Sequence, residues 1–220
     1  MQVRRRSGES VKNSLAPNPA VRRLSLYLRH LEGLAANGTS KVSSRGIADS
    51  LRVTAAQVRK DLAYFGQFGR PGVGYRVEPL IAELRRILGT DKTSKVIVVG
   101  AGDLGRALLR YKGFRKKGFE LVAAFDISAS KVGKRIDSVP VHHLRDLAKV
   151  VRRHGVRLAV VTVPADAAQQ VTDALCKAGV RGILSFAPAT VATPDGVAVG
   201  PVDLAAHLEQ LSFRIGANSR

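Results

Sequence analysis

Apolar positions recur along this chain in two rhythms. Over residues 18–89 they fall at helical spacing, and over residues 95–200 they come in short continuous runs separated by helical stretches. In the first region Asn18 and Pro19 predict a helix cap and first turn, with Val21, Leu24, Leu28 and Leu31 as the buried stripe and Gly33 or Gly38 as the end. Ser43 or Ser44 can cap a short second helix carrying Ile47, Ala48 and Leu51, and Thr54 caps a third after a very short turn. A short helix, a tight turn and another helix make a helix-turn-helix. In the third helix, AAQVRKDLAYF, the pattern buries Val58, Leu62 and Phe65 and turns Gln57, Lys60 and Tyr64 outward together. Glycines 66, 69, 72 and 74, with Pro71-Gly72 at a turn, then predict a tight hairpin, a wing that carries Arg70 and Arg76. Glu78-Pro79 opens one more helix, closed by Gly89, and the polar stretch 90–94 is the seam between domains.

Beyond the seam the runs read as strands: Val96 to Val99, LVAAF at 121–125, a short Val139-Pro140-Val141, LAVVTV at 158–163, GILSF at 182–186 and Val197 to Val199. Continuous apolar strands alternating with helices indicate an α/β domain with a doubly wound parallel sheet, the Rossmann architecture. Asp203 can cap a last helix bearing Leu204, Leu208, Leu211 and Ile215, which must return to its own chain or pack on a second subunit. The first strand runs into Gly100-Ala101-Gly102-Asp103-Leu104-Gly105 and then a helix, and Asp126 closes the next strand. Each part has a job in holding a dinucleotide. Gly100 permits the sharp turn, Gly102 lets backbone N–H groups approach a pyrophosphate, and Gly105 lets the helix pack on the sheet. An acid about 20 residues on can accept from a ribose diol. Asp126 would also repel a 2′-phosphate, favouring NAD(H) over NADP(H), although Lys131, Lys134 and Arg135 could compensate.

Charge adds a partner. The 220 residues carry a formal charge of +19; residues 1–80 hold 14 basic and 5 acidic side chains, a denser excess than the rest. Nucleic acid is the polyanion that fits. Gln57 and Lys60 can then address base edges in a major groove, Tyr64 phosphate or sugar, and Arg59 phosphate. Residues 1–17 read as a basic arm without secondary structure, and no apolar segment follows it to make a secretory signal. With no run approaching a membrane span, a soluble cytoplasmic protein is expected. The single cysteine, Cys176, excludes an intrachain disulfide and reads as a core thiol.

Taken together, the segments QVRKDLAYFGQFG, GVGY, VGAGDLGRAL, YKGF, AFD with KVGK, TVP, SFAP and VDLAAHLEQLSF resemble the Rex family of redox-sensing transcriptional repressors. The resemblance covers roughly residues 18–215 and implies a winged-helix domain (18–89), a Rossmann domain (95–200) and a C-terminal dimerisation helix (201–220) exchanged between subunits. It implies a homodimer on palindromic operator DNA, released when NADH binds. Position by position it places Gly100, Ala101, Gly102, Asp103, Leu104, Gly105, Asp126, Lys131, Tyr111, Thr162, Pro164 and Phe186 around NAD(H), with Tyr111 near the nicotinamide. DNA contacts would come from Gln57, Arg59, Lys60, Tyr64, Arg70 and Arg76. Arg29, Tyr111 and Asp203 would rearrange with redox state. Three positions depart from the family pattern: Pro71 replaces a basic wing residue, Asp103 puts a carboxylate in the glycine turn unless it caps the helix, and Ser185 replaces an asparagine. The alternatives are a small NAD-dependent oxidoreductase, for which His142 and His143 at a helix start are the candidate proton donors, and a CoA-binding domain.

Overall fold

A computed structural model describes residues 17–69 and 72–217, which divide into two units at residues 92 and 93. Residues 1–16, with most of the basic arm, and Arg70 and Pro71 of the expected wing lie outside the described residues.

In the N-terminal unit, α1 (Asn18–Ala36) opens on Pro19, but Asn18 is its first residue and no side chain caps it. Gly33 stays within the helix, and Gly38 at φ +76° follows its end. β1 (Lys41–Val42) leads into α2 (Ser44–Leu51), capped by Ser43, whose Oγ accepts from the Gly46 N–H at 3.0 Å. α3 (Ala55–Ala63) is capped by Thr54, whose Oγ1 accepts from the Gln57 N–H at 3.1 Å. The centre of the expected wing hairpin lies outside the described residues; on its flanks Gly69 lies against the Gly74 carbonyl and the Tyr75 ring. β2 (Tyr75–Arg76) pairs antiparallel with β1, in register Lys41↔Arg76 and Val42↔Tyr75. Gly74 makes that approach possible: at φ +82°, any Cβ would stand 2.6 Å from the Val42 carbonyl. α4 (Val77–Ile87) completes a core of Leu24, Tyr27, Leu31, Ile47, Val58 and Leu84.

The C-terminal unit is a seven-stranded sheet in the order β5-β6-β4-β3-β7-β8-β9. Its strands are β3 (Ser94–Val99), β4 (Phe119–Asp126), β5 (Arg135–Ile136), β6 (Val139–His143), β7 (Leu158–Val161), β8 (Gly182–Ser185) and β9 (Ala198–Pro201). Only the β5–β6 edge pair is antiparallel, closed by Asp137 and Ser138, both at positive φ. The parallel strands alone run in the order 3-2-1-4-5-6, with the reversal of direction between β3 and β7. One face is covered by α7 (Leu147–His154) and α8 (Ala165–Ala178), packed on Ile97, Phe125, Ala159 and Ile183. The other carries α5 (Asp103–Arg110) and the short α6 (Gly113–Lys116). Beside them an apolar groove of about 330 Å³ opens over Val96, Phe119, Leu158, Leu184 and Ala198. The last helix, α9 (Leu204–Ala217), exposes Leu204, Leu208, Leu211, Phe213 and Ile215. Among the described residues no helix is long and apolar enough to cross a membrane.

Candidate cofactor cleft and nucleic-acid face

Ligands of open parallel sheets sit beyond the strand C-termini at the reversal of strand order. Here that point is the turn after β3. Gly100 adopts φ +100°, where a Cβ would lie 2.7 Å from the Thr162 carbonyl. A Cβ on Gly105 would collide with the Gly100 carbonyl, so the third glycine is required for the helix to sit down on the turn. Gly102 differs: its Cβ would meet nothing within 4 Å. Open space therefore stands before the first turn of α5, whose N–H groups have no acceptor within the helix. Thr162 ties β7 to this turn, its Oγ1 donating to the Gly100 carbonyl at 2.8 Å.

Asp126 ends β4 facing the same turn, its side chain 9 % exposed. Oδ2 accepts from the Ala101 N–H at 2.8 Å and from Lys131 Nζ at 3.0 Å, and Oδ1 accepts from the Ser128 N–H at 2.9 Å. Burial pushes its pKa up, but the Ser128, Lys131 and Ala101 donors override that and hold the carboxyl below its ordinary range. An ionised carboxylate beside a glycine turn suits a ribose diol. The Lys131 contact also offsets part of the negative charge that would exclude a 2′-phosphate.

Other expected cleft residues are placed variously. Phe186 is half-buried after β8, its N–H bonded to the Val161 carbonyl, and Pro164 is exposed just before α8. Leu104 and Asp103 are exposed in the first turn of α5, and Asp103 makes no capping hydrogen bond. Ser185 is buried with its hydroxyl unpartnered, so it does not supply an amide's hydrogen bonds. Tyr111 follows the last residue of α5, about 12 Å of helix from its first turn. There it is 59 % exposed, edge-on to Phe114, and shares a cavity with Phe119, Glu120 and Asp137 near the starts of β4 and β6. His142 and His143 end β6, and His143 caps the 3₁₀ turn (Leu144–Asp146) that runs into α7, its Nδ1 accepting from the Arg145 N–H; His142 lies at a tilt near Phe125.

On the N-terminal unit Lys60 is exposed on α3 and Tyr64, half-buried, follows its last turn. Arg59 reaches the Ser44 hydroxyl at 3.0 Å, and Arg76 is exposed on β2. Gln57 is not free as the outward register suggests. Its amide is half-buried and donates to Asp61 at 2.7 Å. Asp61 is 0 % exposed and also receives Arg23 and Tyr27 from α1. The sequence carried a signal for this network: Asp61 lies in the same helical register as Val58, Leu62 and Phe65, and Arg23 and Tyr27 flank Leu24 and Leu28. Arg29 is exposed on α1, and Asp203 caps α9 by accepting from the Ala206 N–H at 2.9 Å.

Two family models match separate stretches, a putative DNA-binding protein N-terminus over residues 16–63 and a CoA-binding domain over residues 91–189. A redox-sensing transcriptional repressor Rex from Carboxydothermus hydrogenoformans is 48% identical over 205 residues, covering 93% of this chain and 99% of that one. This chain belongs to the Rex family of redox-sensing transcriptional repressors. A Rex from Roseiflexus sp. is 45% identical, over 90% of each chain. Among solved structures, the Rex-family repressor RSP in complex with β-NAD⁺ and operator DNA superposes with a TM-score of 0.88 at 37% identity, over 93% of this chain and 94% of that chain. RSP in complex with β-NADH gives 0.84 at 36% identity, over 93% and 96%. The Rex relatives carry the name of a repressor, not of an enzyme, and the CoA-binding match reflects the shared sheet of the C-terminal unit.

Proposed function

We propose that this protein is a cytoplasmic transcriptional repressor that reads the NADH/NAD⁺ ratio and binds palindromic operator DNA as a homodimer. The observation that carries this reading is the glycine turn itself: open space at Gly102 stands next to Ala101, whose N–H the ionised Asp126 accepts, in a chain whose other unit is a basic helix-turn-helix. NADH and NAD⁺ differ by a hydride and by one positive charge on the nicotinamide. A ring site lined by Phe186 and strand ends favours the uncharged form, because desolvating a charge is costly. A ligand shifts a conformational equilibrium only by its differential affinity for the two states. NADH therefore selects a closed dimer whose recognition helices no longer match adjacent major grooves, and the operator is released.

The dimer rests on two uncovered surfaces of one chain. α9 exposes a row of apolar side chains, and the sheet leaves an apolar groove over β3, β7 and β8. The occupant of that groove is α9 of a second copy. Arg29, Tyr111 and Asp203 belong to the switch: all three are exposed, and their contacts form across the dimer. Arg59, Lys60, Tyr64, Arg70 and Arg76 hold the DNA. The test is a fluorescence anisotropy titration of NADH, NAD⁺ and NADPH into the protein bound to operator DNA. NADH should release the DNA at the lowest concentration, and DNA affinity that is indifferent to all three would refute the proposal.

A further inference from the structure

Asp61 is a carboxylate with no solvent exposure on the helix that the proposed function assigns to the major groove, and it is saturated. Oδ2 accepts from Arg23 Nε at 2.6 Å and Tyr27 Oη at 2.7 Å; Oδ1 accepts from Arg23 Nη2 at 2.8 Å and Gln57 Nε2 at 2.7 Å. A brace between α1 and α3 does not need all four. Arg23 and Tyr27 already supply three donors, and apolar residues of similar volume commonly hold a helix pair as firmly as a buried ion pair. The fourth donor comes from Gln57, which shares its register with Lys60 and Tyr64. An ionised carboxylate only accepts, so the nitrogen of the Gln57 amide must face Asp61 and its oxygen must face away. A primary amide has one N–H beside its carbonyl oxygen and one pointing away from it; with the outer one given to Asp61, the inner one stays beside the carbonyl. That remaining pair, one acceptor and one donor side by side, matches the N6 donor and N7 acceptor of adenine in the major groove.

We propose that Asp61 is a positioning residue that fixes which way the Gln57 amide faces, and that Gln57 so held reads an adenine in each half-site. The inference rests on α3 being the recognition helix. Asparagine at 61 keeps the shape but offers both a donor and an acceptor, so the Gln57 amide can turn over and its preference for adenine is lost.

The experiment selects full-length protein against a duplex pool with a randomised core of about 20 base pairs, room for two half-sites, and sequences the bound fraction. Wild-type protein should yield a two-fold symmetric motif. Gln57→Ala and Asp61→Asn should both lose preference at one shared position, an A·T pair in the wild-type motif, by about 10- to 100-fold. Preferences elsewhere, binding to DNA of arbitrary sequence, and NADH affinity should stay as in wild type. Should Asp61→Asn fail to give a cooperative melt by circular dichroism, Gln57→Met keeps Asp61 with three donors and must lose the same position. Retention of the full wild-type motif by the variants overturns the proposal, as does a shared position that is not adenine. A uniform drop at every position also overturns it, because that is what a purely structural brace would give. If wild-type protein selects no motif at all, the DNA-binding reading itself fails, an outcome separate from the others.

Discussion

Gly102 and Gly105 sit three residues apart in one motif and do opposite physical work. Gly105 is a packing residue: its missing Cβ is occupied by the Gly100 carbonyl. Gly102 has φ −73° and ψ −167°, a conformation open to any residue, and a Cβ there would touch nothing. Nothing in the surrounding chain requires a glycine there. Gly105→Ala should therefore lower stability by about 1–3 kcal/mol, the usual cost of forcing atoms into filled space. Gly102→Val should change stability by less than about 0.5 kcal/mol. It should nonetheless raise the NADH dissociation constant by about 100-fold, equivalent to about 2.8 kcal/mol, by filling the space a pyrophosphate needs. Denaturant melts and isothermal titration on the two variants separate these outcomes. Equal loss of stability in both would mean that the turn has no ligand to make room for.

At the level of elements, α1 and α3 are joined by a carboxylate whose ionisation is part of the fold. Burial raises the pKa of Asp61, but hydrogen bonds from Arg23, Tyr27 and Gln57 outweigh it and hold the group below the usual carboxylate range. Because the folded pKa is depressed, this contribution is fully present above the unfolded-state value and is lost as pH falls through the folded one. Asp61→Asn should cost about 2–3 kcal/mol near neutrality, where the charge-assisted bonds to Arg23 are lost. On moving to pH near 4 or below, wild-type protein should lose more stability than the variant. Circular dichroism melts of both proteins across that range measure the difference, and parallel pH profiles would exclude Asp61 as its source. The same pair of helices illustrates what a sequence conveys and what it conceals. The caps at Ser43 and Thr54 were legible because a hydroxyl before an apolar stripe has one strong local use. The central strands β3, β7 and β8 were legible because each carries a continuous apolar run. β1 was not, since two residues carry no periodicity, and its partner β2 lies more than 30 residues away. The partners of Asp61 were hidden for a related reason: register says a side chain faces inward, but only packing says what it meets.

For the whole molecule, the two units need a coupling that neither has alone, and linkage sets its form. If NADH lowers operator affinity by some factor, operator DNA must lower NADH affinity by the same factor. Moving a dimer from 1:99 to 99:1 takes about 5.5 kcal/mol of differential binding, whereas a resting equilibrium nearer balance needs much less. Couplings between sites commonly amount to 1–3 kcal/mol, so the reciprocal factor should fall between about 5 and 150. Isothermal titration of NADH with and without saturating operator gives one side of the square, and anisotropy of labelled operator with and without NADH gives the other. The two factors should agree. In the proposed dimer the mechanical link would be the spacing of two recognition helices on two half-sites, with α9, through its exposed Leu208 and Leu211, as the element proposed to join the subunits. Leu208→Asp combined with Leu211→Asp should leave each cleft intact and give a monomer by sedimentation. NADH affinity should then match that of the DNA-free wild type, operator affinity should fall toward the salt-sensitive non-specific level, and NADH should no longer change it. A monomeric variant that still released DNA on adding NADH would place the coupling within one chain, and α9 would then have no part in the switch.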